Sequence, residues 1–279
     1  MHQLTDRIHV ETGLRGANHG WIETSEGIVL VDTPFKPSDA VRLRAHLDGL
    51  GRLRYVVNTE PHADHWTGNT YFDAPAVAHA GVRRRVLEMD VAGHHGRIAA
   101  LGPGEPTHVA TYRAKAPEVT FESELTLHVG DRTLRLIHMP GHTPFQAAVL
   151  VVEDGVVFTS DNLFSGVQTW LQEADPDAWL SALDSLRSLD AKVLVPGHGS
   201  ICGKDRLDEQ AAYIREWVAY VRDGVDRGLL RDEAVERLTA LTDRYPMDAE
   251  QEGLAPMVMR RNVANLYDFV TGQGIHAPT

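Results

Sequence analysis

A short apolar run leads into a dense polar cluster near residue 60: Leu53-Arg54-Tyr55-Val56-Val57-Asn58-Thr59-Glu60-Pro61-His62-Ala63-Asp64-His65. The run from Leu53 to Val57 is predicted as a buried strand, which places the cluster on a loop at the end of that strand. A non-helical loop with polar side chains at positions 60, 62, 64 and 65 can aim alternate residues at one metal ion and the others at a second. Imidazole and carboxylate groups suit zinc, iron or manganese. The cluster is therefore interpreted as part of a metal site.

Three more polar residues follow predicted strands in the same manner. His142 comes after Met139-Pro140-Gly141, Asp161 comes after the apolar run that starts at Val156, and His198 comes after the run that starts at Val193. If these strands are neighbours, all of the polar groups meet at one edge of a sheet. Two metal ions held close together need a bridging carboxylate, which Asp161 could supply.

These segments resemble the motifs of the metallo-β-lactamase superfamily. The run from Glu60 to His65, followed by Thr67-Gly68-Asn69, is similar to that superfamily's His-x-His-x-Asp-His motif. Its later motifs resemble the runs Pro140-Gly141-His142-Thr143, Thr159-Ser160-Asp161 and Pro196-Gly197-His198-Gly199. One such motif alone would be a weak signal, but four in the expected order make a strong one.

The resemblance implies a dinuclear site with two divalent ions. The implied ligands are, for the first ion, Glu60, His62 and His142, for the second ion, Asp64, His65 and His198, and, as the bridge, Asp161. Glu60 stands where the superfamily usually has its first histidine. Its carboxylate adds a negative charge and hardens the ligand set toward iron or manganese, which are kept as alternatives, while zinc, which carboxylates also bind, is expected first.

The rest of the chain alternates strand and helix patterns. A hairpin is predicted around Ser25-Glu26-Gly27, a helix from Pro37 to Leu50, a further helix from Pro176 to Leu189, and mostly helical structure from Lys204 onward. The stretch from Val91 to Pro117 lacks clear periodicity and is taken as a long loop or a loosely helical insertion. Strands followed by helices suggest an α/β fold of two packed sheets with helices outside, and the resemblance implies an αββα four-layer sandwich.

We expect a catalytic domain of the metallo-β-lactamase fold over residues 1–203. Residues 204–279 are expected to form a C-terminal helical extension that packs on the same domain.

Composition excludes several classes of protein. The net charge of -12 disfavours a nucleic-acid partner, and the single cysteine, Cys202, excludes a disulfide framework or a cysteine-based zinc cluster. Residues 1–7 lack a basic stretch followed by an apolar run, and no segment approaches the length of a membrane span. We expect a cytoplasmic protein with a small-molecule substrate and without a membrane partner, and a homo-oligomer is left open.

A few residues outside the motifs are weaker candidates. Asp32 follows a predicted strand and could hydrogen-bond a ligand histidine, as metal sites usually require, or could be an ordinary strand-end carboxylate. His94 and His95 could touch substrate or metal, although exposed loop histidines are more common. The run Arg83-Arg84-Arg85 is interpreted as a solvated helix face.

The reaction implied by the resemblance is hydrolysis, in which a hydroxide shared by the two ions attacks the carbonyl carbon of an ester, thioester, lactone or amide. Asp64 is the expected catalytic residue, which would orient the nucleophile or accept its proton. Two alternatives remain, namely β-lactam hydrolysis and a di-iron or mononuclear-iron oxidoreductase of the same fold. No residue pattern identifies the substrate-binding residues.

Overall fold

The N-terminal strands of the computed structural model form a seven-stranded sheet, and the structure describes residues 1–238 and 244–273 of the chain. Neighbours in space are also neighbours in sequence within this sheet. Its strands are β1 (His2–Gln3), β2 (Ile8–Glu11), β3 (His19–Thr24), β4 (Gly27–Val31), β5 (Leu53–Val57), β6 (Ala76–His79) and β7 (Val119–Phe121). The strands from β1 to β4 pair antiparallel, and those from β4 to β7 pair parallel.

The second sheet has five strands in the order β12-β11-β10-β9-β8. These strands are β8 (Glu124–Val129), β9 (Arg132–His138), β10 (Ala147–Val151), β11 (Val156–Ser165) and β12 (Val193–Gly199). The pair β11 and β12 is parallel, and the other pairs are antiparallel. An apolar core that includes Val29 and Val57 of one sheet and Val149 and Phe158 of the other fills the space between the sheets.

Helices cover the outer faces of both sheets. They are α1 (Pro37–Leu50), α2 (Ala63–Trp66), α3 (Ala80–Glu88), α4 (Val91–Ala99), α5 (Pro106–Val109), α6 (Pro176–Ser188), α7 (Asp205–Asp226), α8 (Arg231–Arg237) and α9 (Ala255–Val270), with 3-10 turns at Thr67–Tyr71 and Glu252–Leu254. Helix α1 packs on the first sheet through Leu43 and Leu47. Helices α6, α7 and α9 pack on the second sheet through residues such as Trp179 and Trp217.

Membrane insertion finds no support in the helices. None of those in the described part of the chain combines the length and the apolar character that crossing a bilayer requires.

The ends of parallel strands bring the polar motifs together. Strands β4 and β5 end side by side, since Val31 is paired with Val57, and the polar cluster follows directly on β5. In the second sheet, β11 and β12 run parallel, and Phe164 is paired with His198. Carboxyl ends of parallel strands point to the same edge, which is where α/β proteins usually bind ligands.

Several local predictions need correction. Asp64 and His65 lie on the helical turn α2 and not on a non-helical loop. Asp161 and His198 lie within β11 and β12, because the parallel pairing of these strands continues past their apolar residues with register shifts. Of the two alternatives for residues 91–117, a long loop or a loosely helical insertion, the structure has the helical one, with α4 and α5. Positions 239–243 and 274–279, which belong to the predicted helical extension, lie outside the described residues.

Candidate metal centre

Four of the predicted ligands form a first group, which consists of Glu60, His62, His142 and Asp161. Each offers one ligand atom, and these atoms lie within 4.8 Å of one another. Glu60 Oε1 is 2.7 Å from His62 Nδ1, and His62 Nδ1 is 3.3 Å from His142 Nε2. Asp161 Oδ2 lies 3.5 Å from His142 Nε2. The carboxylate that replaces the usual first histidine therefore points at its neighbours in the motif and is completely buried.

The other three predicted ligands, Asp64, His65 and His198, form a second group with the same spread of 4.8 Å. Asp64 Oδ2 is 3.4 Å from His198 Nε2. Asp161 reaches this group as well, with Oδ1 at 3.3 Å from His65 Nε2 and Oδ2 at 3.5 Å from His198 Nε2. Asp161 thus lies between the two groups, in the position that a bridging carboxylate needs.

Every histidine of the centre has its outward ring nitrogen next to a hydrogen-bond acceptor. In the first group, His62 Nε2 is 3.2 Å from Glu173 Oε1, and His142 Nδ1 is 2.8 Å from the carbonyl oxygen of Trp170. Because carboxylate and carbonyl oxygens only accept, each ring must carry its proton on this outward nitrogen.

The histidines of the second group follow the same pattern. His65 Nδ1 is 2.9 Å from Asp32 Oδ2, and His198 Nδ1 is 2.9 Å from Asp248 Oδ2. This leaves the inward nitrogen of each ring, Nδ1 of His62 and Nε2 of the other three, as the atom that a metal ion would bind once it has displaced any proton there.

The donor set fits divalent metal ions. Among the described residues, three inward-facing atoms are buried without a hydrogen-bond partner, namely Glu60 Oε2, His65 Nε2 and Asp161 Oδ1. Buried polar atoms are costly unless they are paired or coordinate a metal. Mixed nitrogen and oxygen donors are a suitable set for zinc, iron or manganese.

The electrostatics of the centre favour cations. Burial alone lowers the pKa of an imidazole, but facing carboxylates outweigh burial and raise the pKa well above its ordinary value at three of the four rings. The histidines affected, each with its strongest carboxylate, are His62 (Glu60), His65 (Asp32) and His198 (Asp161). At His142 burial prevails and the pKa is lowered. The negative charge that raises these pKa values also attracts divalent ions, which compete with protons for the same nitrogens.

Strained backbone and a shared hydroxyl hold the second group. Asp32 and Ser160 both adopt the left-handed conformation, with φ of 56° and 55°, which costs free energy in residues other than glycine. Asp32 accepts hydrogen bonds from the backbone N–H and the hydroxyl of Thr59, at 2.8 and 2.6 Å. Thr59 Oγ1 also lies 2.8 Å from Ser160 Oγ, so the loop after β5 is tied to the middle of β11 next to His65.

The segment that supports the first group is fixed by the C-terminal helix. Trp170 and Glu173 lie between β11 and α6, where two buried asparagines of α9 hold the backbone. Asn262 accepts from Leu171 N at 2.6 Å and donates to the carbonyl of Thr169 at 2.9 Å. Asn265 donates to the carbonyls at positions 171 and 174.

All seven predicted ligands and Asp32 come together in this centre, and His94 does not join them. His94 is buried, stacks on Trp66 with ring centroids 5.0 Å apart, and lies 3.2 Å from the hydroxyl of Tyr112. Arg85 departs from the predicted solvated face, since its guanidinium is 3.3 Å from Glu173 Oε2.

Two residues that contact ligand histidines, Glu173 and Asp248, are absent from the sequence predictions. They lie outside the recognisable motifs, and neither has a neighbouring residue pattern that distinguishes it from a surface carboxylate. Only the fold shows that both side chains are buried beside histidines.

Comparison with known proteins gives consistent matches. Residues 12–198 match the model of the metallo-beta-lactamase superfamily. A linear primary-alkylsulfatase from a Pseudomonas strain is 25% identical over 258 residues, which cover 78% of this chain and 49% of that protein. The acyl-coenzyme A thioesterase MBLAC2 of Bos taurus is 27% identical over 71% of this chain and 77% of its own length. A hydroxyacylglutathione hydrolase of Anaeromyxobacter dehalogenans is 32% identical over 65% of this chain and 61% of its own.

Solved structures show the same fold. A metallo-beta-lactamase family protein from Thermus thermophilus superposes with a TM-score of 0.65 at 19% identity and covers 97% of this chain and 95% of its own. A metallo-beta-lactamase from Pontibacter korlensis gives a TM-score of 0.62 at 19% identity over 77% of this chain and 97% of its own. The predicted αββα sandwich is confirmed. The chain spans about half the length of the alkylsulfatase that it matches.

Proposed function

This chain belongs to the metallo-beta-lactamase superfamily of metal-dependent hydrolases, and on that premise we propose that it hydrolyses a small-molecule substrate with two divalent metal ions. The first group would hold one ion, the second group would hold the other, and Asp161 would bridge them. Zinc is proposed first, and the buried carboxylate of Glu60 keeps iron and manganese as alternatives.

One observation carries this proposal. All four histidines direct a nitrogen inward while the opposite nitrogen lies against an acceptor, and Asp161 reaches donors of both groups. A set of unrelated polar loop residues would not share this orientation. Ions bound here would supply an ionised nucleophile at neutral pH and would polarise the bond under attack.

Asp64 is proposed as the catalytic residue. Burial raises the pKa of its carboxyl, but the hydrogen bond from His198 and the charges of His65 and His198 bring that pKa down to about 2, so Asp64 is ionised at neutral pH. Its side chain is 21% exposed and that of His62 is 24% exposed, whereas the other five ligand residues are buried. A substrate would therefore approach from this side, where Asp64 can orient the attacking group or accept its proton.

The relatives point to the kind of bond. One is named an acyl-coenzyme A thioesterase and another a hydroxyacylglutathione hydrolase, which favours an acyl ester or thioester for this chain. The alkylsulfatase match covers more of the chain than either, and it supports a linear alkyl sulfate as the second candidate. β-Lactams remain a test substrate, because solved structures at 19% identity establish only the fold.

The experiment starts from protein purified without added metal. We expect about two metal ions per chain by elemental analysis, and loss of hydrolysis on chelation that returns when metal is restored. The substrate panel is an acyl-coenzyme A, a hydroxyacylglutathione, a lactone, a linear alkyl sulfate and a β-lactam. A stoichiometry near one that added zinc, iron or manganese does not raise would refute the dinuclear centre.

A further inference from the structure

The contacts made by the outward nitrogens of the histidines divide the centre in a way that its ligands do not. Both histidines of the first group contact the segment between β11 and α6. His142 contacts the carbonyl of Trp170, and His62 contacts Glu173. The histidines of the second group contact carboxylates from other parts of the chain. His65 uses Asp32, at the end of β4, and His198 uses Asp248.

The carboxylate of Glu173 is held by contacts at both of its oxygens. It is buried, and its two oxygens face two different cationic partners. Oε1 lies 3.2 Å from His62 Nε2, and Oε2 lies 3.3 Å from the guanidinium of Arg85 on α3. Arg85 offsets the charge of the carboxylate and fixes its rotation. The imidazole of His62 is thereby held with Nδ1 directed at Glu60 and His142.

Asp248 makes the corresponding contact from outside the superfamily match, which ends at residue 198. Its Oδ2 is 2.9 Å from His198 Nδ1, and its Oδ1 accepts the backbone N–H of Ala249 at 2.7 Å. The segment ahead of Asp248 is attached to the chain after β11, because Gln168 N donates to the carbonyl of Pro246 at 2.7 Å. Glu250, which follows Asp248, is 56% exposed and pairs with Lys36 at the surface, where such a pair contributes little.

We propose that Glu173 and Asp248 are positioning residues that each fix one metal-ligating histidine, Glu173 for the first group and Asp248 for the second. This inference rests on the proposed function, because it takes the two groups as metal sites. A carboxylate behind a ligand histidine fixes its ring orientation and tautomer and makes the inward nitrogen more basic. Removal of such a partner typically costs 10-fold to 100-fold in metal affinity.

The test asks whether each substitution weakens metal binding at one site and leaves binding at the other unchanged. Metal-free protein is titrated with Zn²⁺ in competition with a chelator, which gives one dissociation constant for each ion, and Co²⁺ spectra report each site separately. His62→Ala and His198→Ala serve as references, because each should remove the spectrum of one group. Glu173→Ala should weaken the first group by about 10-fold to 100-fold and leave the second within about 3-fold. Asp248→Ala should do the reverse.

Conservative variants separate positioning from packing. Glu173→Gln and Asp248→Asn keep an oxygen acceptor of nearly the same shape, so each should recover part of the affinity that alanine loses. They also keep the experiment decisive if an alanine variant does not fold. Two neighbours provide matched controls, Gln172→Ala beside Glu173 and Glu250→Gln beside Asp248. Gln172 contacts Arg261 and Glu250 contacts Lys36, so both controls should bind two ions as the parent does.

The possible failures are distinguishable. If the parent protein binds fewer than two ions, the proposed function is wrong and this inference falls with it. If the parent binds two ions but Glu173→Ala and Asp248→Ala weaken both sites equally, or only lower the thermal midpoint, the positioning roles alone are overturned. The role of Asp248 is also overturned if Glu250→Gln causes an equal loss of affinity in the second group.

Discussion

The two halves of the centre use the same ligand types but rest on different parts of the fold. The second group is anchored by Asp32 and Thr59, which follow the core strands β4 and β5, and by Asp248 from the C-terminal part of the chain. The first group rests on an irregular segment that a helix from the far end of the chain holds in place. The ligand residues alone therefore do not determine the geometry of either site. That geometry also depends on the acceptors that contact the outward nitrogens of the histidines.

The largest effect is expected from the loss of Asp161, which should reduce metal binding in both groups alike. Asp161→Ala should remove most of the metal from both groups, because Asp161 lies within 3.5 Å of His65, His142 and His198. We expect activity to fall by more than the ~100-fold that a change behind a ligand costs. Elemental analysis and circular dichroism should show metal loss with the fold retained. Full metal content or parental activity would refute the bridging role.

Glu60 tests whether the halves are separate. Glu60→Gln should weaken the first group by at least ~10-fold through loss of charge, and Glu60→His should shift the preference of that group toward zinc. The histidine variant should also move the acidic limb of the pH–rate profile to lower pH, because less negative charge opposes ionisation of the nucleophile.

The second group should keep its metal in both Glu60 variants. Its response is informative because Glu60 Oε1 also lies 3.2 Å from His65 Nε2. Equal losses in both groups would show that Glu60 is shared between them. Unchanged metal content, preference and pH profile would mean that Glu60 is not a ligand.

A substitution in α9, away from the ligand residues, should weaken metal binding in the first group only. Asn262→Ala leaves the backbone groups of Thr169 and Leu171 without their buried partner, which costs about 1–3 kcal/mol of stability. We expect the first group to lose roughly 10-fold in affinity as the segment carrying Glu173 loosens, with the second group spared. Arg260→Ala, an exposed position on the same helix, is the control. Equal effects on both groups would contradict the division.

The smallest expected effect comes from Arg85. Its side chain is 29% exposed, so water can take over part of its hydrogen bond to the buried Glu173 when the guanidinium is removed. Arg85→Ala should weaken the first group by about twofold to fivefold in the Zn²⁺ titration. Arg84→Ala on the same helix is the control, because its guanidinium lies over the ring of Phe145, as that of Arg85 does, while Arg85 is the one of the two that pairs with Glu173. A loss as large as that of Glu173→Ala would make Arg85, and not the carboxylate, the main determinant.

The sequence was sufficient to predict local elements and the site residues that directly follow a predicted strand. Helix α1 spans Pro37 to Leu50 as predicted, and the run from Glu60 to His65 stands at the end of β5. The strand positions of Asp161 and His198 were mispredicted, because the parallel pairing of β11 with β12 continues with register shifts past their apolar residues and, on β12, through Pro196 and Gly197.

Residues that depend on distant contacts could not be predicted. Asp248 lies 50 residues beyond His198, and its carboxylate contacts that histidine because the chain folds back toward it. Asn262 and Asn265 sit in a helix whose polar residues would ordinarily face water, but both are buried. The division into residues 1–203 and 204–279 remains a prediction, as do the cytoplasmic location and the oligomeric state.

The hydrogen bonds from α9 to the segment at 169–174 also bear on the order of assembly during synthesis. A nascent chain folds from its N-terminus as it leaves the ribosome, so every metal ligand is made before Ala255. Until α9 is complete, the segment that carries Trp170 and Glu173 has not been fixed by Asn262 and Asn265. On the proposed function, the ribosome-bound chain would therefore hold the ligands without their full support, and tight loading of the first group would wait until translation has passed this helix.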